Sequence, residues 1–208
     1  MKRFFDMTLA ILLMLAACLP MLMIALAVKL SSQGPVLHWS NRVGRDNGIF
    51  RMPKFRTMRC DTPQVATHLL FHASRWTTGV GKILRATSMD ELPQLWSILV
   101  GHMSFVGPRP ALFNQYDLIE MRSELGIHCI RPGLTGWAQV NGRDELPIPQ
   151  KVALDAEYLA KSSLLFDLKI LVLTAVKVLR RDGILQADQQ TASKKDTRVP
   201  IESTRAAA

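Results

Sequence analysis

The sequence predicts a helix-rich α+β fold: an N-terminal membrane helix interrupted by a proline, then a small domain with one β-hairpin and several amphipathic helices. Three observations carry this. No side chain is charged from Met7 to Val28. A strand–turn–strand pattern lies between Val36 and Met52. Helical segments then alternate with Gly/Pro-rich loops. At 208 residues the chain fits one domain with its own core. The formal net charge of +9, from 26 Lys+Arg against 17 Asp+Glu, suits an anionic partner such as nucleic acid, anionic lipid or a phosphorylated substrate. Cys18, Cys60 and Cys129 are scattered, without metal spacing, and point to a reducing compartment with no disulfide framework. No internal repeat is present.

The apolar run covers about 22 residues, enough to cross a bilayer. Lys2 and Arg3 precede it, but no Ala-x-Ala cleavage site follows, and the run is too long for a signal core. Pro20 removes a helix hydrogen bond near its middle. Lys2 and Arg3 before the segment are balanced by Lys29, Arg42, Arg45, Arg51 and Lys54 after it, so the positive-inside rule selects no orientation. Two arrangements satisfy these facts: an ordinary kinked span, or a re-entrant helix that breaks at Pro20 and returns to the face it entered, each arm about one leaflet deep.

Val36-Leu37-His38-Trp39 reads as a strand, Gly44–Gly48 as a turn and Ile49–Met52 as the returning strand. Residues 61–78 are polar and irregular; His68 and His72 within them lack a third ligand and read as surface or structural groups. Ser88-Met-Asp-Glu-Leu-Pro93 predicts a helix start, with Ser88 as cap, Glu91 completing a capping box and Pro93 in the first turn. That helix runs to about Gly101. Its N-terminus would favour phosphate and keep Asp90 ionised, a nucleophile or a ligand for a hard cation. Two acids complementing a helix dipole is the plainer alternative.

Gly107-Pro108-Arg109-Pro110 is a rigid turn, a helix is expected from about Phe113 to Leu125, and another loop follows at Arg131–Trp137. A helix covers Lys151–Lys161. Residues Leu164–Arg181 mix a broad apolar surface with Lys169, Lys177 and Arg180 on one side, fitting an interfacial helix or a core-packing amphipathic one. The tail from 185 is polar and reads as disordered. Arg85, Arg109, Arg131 and Arg143 in or beside constrained loops, near an acidic pair, suggest a polyphosphate pocket with a divalent metal.

The chain resembles the small monotopic bacterial phosphoglycosyl transferases, the catalytic unit also found in larger bacterial sugar transferases. The matching stretches are Arg42-Val43-Gly44, Lys54–Met58, Leu84-Arg85 through Gln94, Met103–Pro110, Arg131–Arg143 and Asp167–Ile170. The resemblance implies transfer of a sugar 1-phosphate from a UDP-sugar to polyprenyl (undecaprenyl) phosphate, giving polyprenyl-diphospho-sugar and UMP and initiating a surface glycan. It implies Asp90 as nucleophile, forming an aspartyl phosphosugar, and Glu91 as Mg²⁺ ligand. It also implies a substrate-binding set of Lys54, Arg85, Arg109, Arg131, Arg143 and Asp167.

The same resemblance favours the re-entrant helix, broken at Pro20. With the tail read from its polar composition, the chain divides into a membrane helix (1–32), a phosphoglycosyl transferase catalytic domain (33–184) and a disordered tail (185–208). The resemblance places the catalytic domain on the cytosolic face of the bacterial inner membrane. The implied partners are UDP-sugar, polyprenyl phosphate and membrane lipid, with a homodimer left open; no nucleic acid is expected, because the sequence shows no RNA-binding aromatic motif or recognisable DNA-binding helix pair. Two positions depart from the family pattern: Leu19 replaces the Ser that precedes the proline, and His102 replaces an Asp. The sugar stays open, with a lean to an N-acetylated amino sugar; its specificity is expected in 61–78 and 144–150. The rival reading is a non-catalytic membrane-anchored partner protein with a basic lipid-binding surface, which would tolerate loss of the acidic pair.

Overall fold

The computed structural model describes residues 1–62, 73–142 and 146–180. His68, His72, Arg143 and the tail from 185, with much of the two segments expected to set sugar specificity, lie outside the described residues.

The first element, α1 (Lys2–Ser31), is one 30-residue helix. Helical backbone continues through Pro20, so the expected break is not an end of the helix. Leu12, Leu15, Leu19, Leu22, Met23 and Leu26 are exposed. α1 is long and apolar enough to cross a membrane, and its middle finds no protein core to bury it. Its two ends differ. At the start, Asp6 is buried and accepts from the Phe105 backbone N–H (3.3 Å), and Arg3 donates to the carbonyls of Ile98 and Leu99. At the other end, Val28 packs with Phe55 and Leu84, and the buried Arg56 guanidinium donates to the Ser32 and Gln33 carbonyls. Both termini of α1 therefore rest on the same domain.

The hairpin forms as expected but longer: β1 (Leu37–Val43) pairs antiparallel with β2 (Ile49–Phe55), from Leu37 opposite Phe55 to Val43 opposite Ile49. Asp46 and Asn47 close it in left-handed conformations, which these residues tolerate best after glycine. Phe50 and Met52 on β2 alternate into the core with Leu95, Ile98, Met103 and Phe105. Lys54, two residues on, points the same way and ends half-buried.

Helices α2 (Ala73–Trp76) and α3 (Gly79–Thr87) follow, then α4 (Gln94–Leu99). Thr78 caps α3 by accepting from the Gly81 N–H (2.9 Å). Any side chain at Gly81 would strike the Thr57 backbone, so glycine lets α3 lie directly against it.

Two three-residue strands, β3 (Ser104–Val106) and β4 (Gly133–Thr135), pair in parallel; 104–106 carried no expected element and 133–135 was expected as loop. A Cβ on Gly107 would lie 2.5 Å from the Arg131 carbonyl oxygen, so this crossing needs glycine. The remaining helices are α5 (Tyr116–Glu124), starting three residues later than expected, α6 (Trp137–Asn141), α7 (Ile148–Lys161) and α8 (Leu164–Arg180). α8 buries Asp167 and Ile170 while exposing Leu165, Leu168, Val172 and Val176. That periodicity leaves one apolar side unpartnered among the described residues.

Candidate active site

Ser88 does not cap the acidic segment. It takes a left-handed conformation (φ 56°) that terminates α3, and its side chain makes no capping bond. Asp90 and Glu91 sit on a 3₁₀ turn, Met89–Glu91, with Pro93 leading into the six-residue α4. The capping box fails because Glu91 has stronger partners than a neutral backbone N–H. Lys54 Nζ (2.6 Å) and Arg109 Nη2 (3.2 Å) both bond its Oε1. Cationic side chains, more than a helix dipole, thus set the electrostatics of this site.

The two neighbouring acids are treated differently. Burial pushes the Glu91 carboxyl up, but Lys54 and Arg109 outweigh it and hold it at about 2. Glu91 is therefore a fixed anion. Asp90 is 9% exposed. Among the described residues no side chain bonds or pairs with it; a backbone N–H is its hydrogen-bond partner. Burial raises its pKa from the ordinary carboxylate value; the nearby charges of Lys54 and Arg85 oppose this and Glu91 adds to it. A desolvated carboxylate with cations near but not bonded is poorly stabilised as an anion, and so reactive toward an electrophilic phosphorus.

The cations reach the site from three directions. Lys54 comes from β2. Arg85 comes from α3, one turn after Gly81, and its Nε donates to Thr57 Oγ1 (2.9 Å). Arg109 stands on the β3–α5 loop, whose backbone is pinned along its length. Val106 O accepts from Lys2 Nζ (3.1 Å), Pro108 O from the Gly133 N–H (2.9 Å), Arg109 O from Arg122 Nη1 (2.8 Å) and Pro110 O from Arg42 Nη1 (3.2 Å). Rigidity in this loop, expected from two prolines, comes as much from these four bonds.

Two residues grouped with the site by sequence take other places. Arg131 Nε donates to Gly101 O (2.8 Å), beyond the far end of α4 from Glu91. Asp167 is 2% exposed. It pairs with Lys2 and accepts from the Tyr158 hydroxyl (2.7 Å), locking α8 and α7 to the start of α1. His102 packs its ring against Phe50 at a tilt, centroids 5.4 Å apart. Sequence reasoning gave Thr57, Gly81, Lys2, Arg122 and Asp155 no part in holding the site. Only Gly81, a glycine inside a helix, carried a local signal.

A family model described as bacterial sugar transferase matches residues 1–181. The uncharacterized sugar transferase EpsL of Bacillus subtilis (strain 168) is 39% identical over 194 residues, covering 93% of this chain and 95% of that protein. The exopolysaccharide production protein ExoY of Sinorhizobium fredii is 36% identical over 88% of this chain and 87% of its own. The UDP-glucose:undecaprenyl-phosphate glucose-1-phosphate transferase of Escherichia coli (strain K12) is 43% identical over 85% of this chain, which spans 40% of that longer enzyme. With residues 1–181 matched and full-length relatives well above 30% identity, the chain belongs to the bacterial sugar transferase family.

Proposed function

We propose that this enzyme transfers a sugar 1-phosphate from a UDP-sugar to polyprenyl (undecaprenyl) phosphate, releasing UMP, in two displacements at one phosphorus. A carboxylate oxygen of Asp90 bonds to the β-phosphorus. The bond from that phosphorus to the bridging oxygen breaks, and UMP departs with the electron pair. A phosphate oxygen of the lipid acceptor then bonds to the same phosphorus and the Asp90 carboxylate leaves. The observation that carries this is the pairing of a buried Asp90 that no described side chain bonds with a Glu91 fixed as an anion by Lys54 and Arg109. Lys54, Arg85 and Arg109 offset charge on the phosphoryl oxygens, which is most of what phosphoryl transfer asks of a protein.

Asp90 and Glu91 also fit Mg²⁺. They are adjacent hard oxygen donors, and Lys54 and Arg109 both bond Glu91 through the one oxygen Oε1. Mg²⁺ is commonly held by one or two carboxylates, with water and substrate phosphates completing its shell. Bound there, it would neutralise diphosphate charge. Three of the longer relatives are UDP-glucose enzymes and another is a galactose phosphotransferase. These names favour a UDP-hexose as the first donor to test, ahead of the N-acetylated amino sugar the sequence leaned toward. UMP release from a panel of UDP-sugars, with and without undecaprenyl phosphate, tests the assignment. Release from no donor contradicts it.

The anchoring of both ends of α1 to one domain supports a re-entrant helix over a span, since a span would carry its termini to opposite faces. We place the domain on the cytosolic face of the inner membrane, with α8 lying in the interface. Cysteines introduced at Met1 and Pro35, in a background lacking Cys18, Cys60 and Cys129, should both label from the cytosolic side. Labelling from opposite sides excludes the re-entrant arrangement.

A further inference from the structure

Behind the Arg109 loop lies a buried ion pair that touches neither Asp90 nor Glu91. Asp155 on α7 is 1% exposed. It accepts from Arg122 of α5 through Nε (3.0 Å) and Nη2 (2.6 Å), both to Oδ2. The third guanidinium nitrogen of Arg122, Nη1, donates to the carbonyl of Arg109 (2.8 Å). A guanidinium is planar, so fixing two of its nitrogens on a carboxylate fixes the direction of the third. The residue it holds is the one whose side chain reaches Glu91 at 3.2 Å.

A buried ion pair is a costly way to join two helices; an apolar pair of similar volume is often as stable or more so. Only the pair, however, can hold the Arg109 carbonyl along a set line. We propose that Arg122, oriented by Asp155, is a positioning residue that sets Arg109 for phosphate binding. It acts through the Arg109 backbone without contact with substrate. The functional part of this inference rests on the activity proposed above; the positioning part does not.

The device predicts coupling between Arg122 and Arg109. Arg122→Met alone would strand a buried carboxylate and risk the fold, so the informative variant is Arg122→Met with Asp155→Leu. It keeps an apolar pair between α5 and α7 and removes the bond to Arg109. In the full chain, reconstituted in nanodiscs, this double variant should lose about tenfold or more in kcat/KM for the UDP-sugar, because a small displacement of a phosphate-binding group is enough for such losses. In an Arg109→Ala background the same change should cost less than about twofold, since its only route to the chemistry is gone. Equal losses in both backgrounds overturn the proposal and leave a purely structural pair.

A second readout needs no activity. Amide hydrogen exchange across 107–112 should quicken in the double variant while the start of α1 and α8 stay protected. Unchanged exchange at 107–112 also overturns the proposal. Wild type that releases no UMP from any donor defeats the proposed function and leaves the exchange measurement to decide the positioning role.

Discussion

Asp90 and Asp167 are both buried aspartates, and the protein treats them in opposite ways. Asp167 is satisfied: Lys2 and the Tyr158 hydroxyl bond its two oxygens. The Lys2 ammonium spends its three donors on Asp167, Tyr158 and the Val106 carbonyl. Asp90 has cations nearby and, among the described residues, no side chain bonded to it. A buried carboxylate bonded by side chains of other elements ties those elements together; one that no side chain bonds leaves its oxygens for other chemistry. The contrast shows Asp167 joining α1, α7 and α8 and leaves Asp90 as the acid on which the proposed chemistry rests.

Substitution separates the two most sharply. Asp90→Asn keeps size and removes the nucleophile, so turnover should fall by orders of magnitude. Its stability should hold or rise. The raised pKa of Asp90 means the folded state favours its neutral form. Whatever stability that form contributes is present below the ordinary carboxylate pKa and lost as pH rises through the raised one. At pH 7 the uncharged Asn escapes that loss. Asp167→Asn should do the reverse, costing about 1–3 kcal/mol as charge-assisted bonds are lost. Thermal unfolding and turnover measured on both variants check this. A destabilised Asp90→Asn would break the comparison.

Much of this framework was legible in the sequence. Alternation around a polar turn marked the hairpin, and the uncharged run from Met7 to Val28 marked α1 as a helix long and apolar enough to cross a membrane. The acidic pair stood out from Ser88–Pro93, though for a partly mistaken reason. The capping box assumed local bonding, and Glu91 instead finds Lys54, 37 positions away. The same limit hid the rest. Arg131 and Asp167 lie in matching motifs, but their partners, Gly101 and Lys2, are 30 and 165 positions distant. Nothing local tells a framework bond from a substrate contact. The β3–β4 pair, three residues each, is too short to show periodicity and is held by glycines that read as loop.

Glu91 sharpens the comparison from the other side, as an acid that is bonded yet belongs to the site. Glu91→Gln removes the charge that organises Lys54 and Arg109, and we expect most activity to be lost. Removal of divalent metal by chelation should produce a comparable loss, restored by Mg²⁺. Full turnover after exhaustive metal removal would count against metal dependence. Glu91's own pKa of about 2 keeps it charged through the working range. The stability it contributes is complete above the ordinary Glu value and disappears only as pH falls through about 2.

A smaller effect follows from burial of Asp90. Attack requires the ionised form, so the acid limb of the rate profile should lie above the ordinary Asp pKa of 3.8. Lys54→Met removes a cation that opposes the shift and should move the limb to higher pH. A limb that stays in place would show that Lys54 does not act on Asp90.

The central claim is that Asp90 carries the phosphosugar between donor and lipid. Intact-protein mass spectrometry after mixing the enzyme with its UDP-sugar, without polyprenyl phosphate, tests it most directly. One sugar-phosphate adduct should appear on the wild type, map to Asp90, be absent from Asp90→Asn, and disappear when undecaprenyl phosphate is added. An adduct on another residue, or Asp90→Asn turning over like the wild type, would contradict the account.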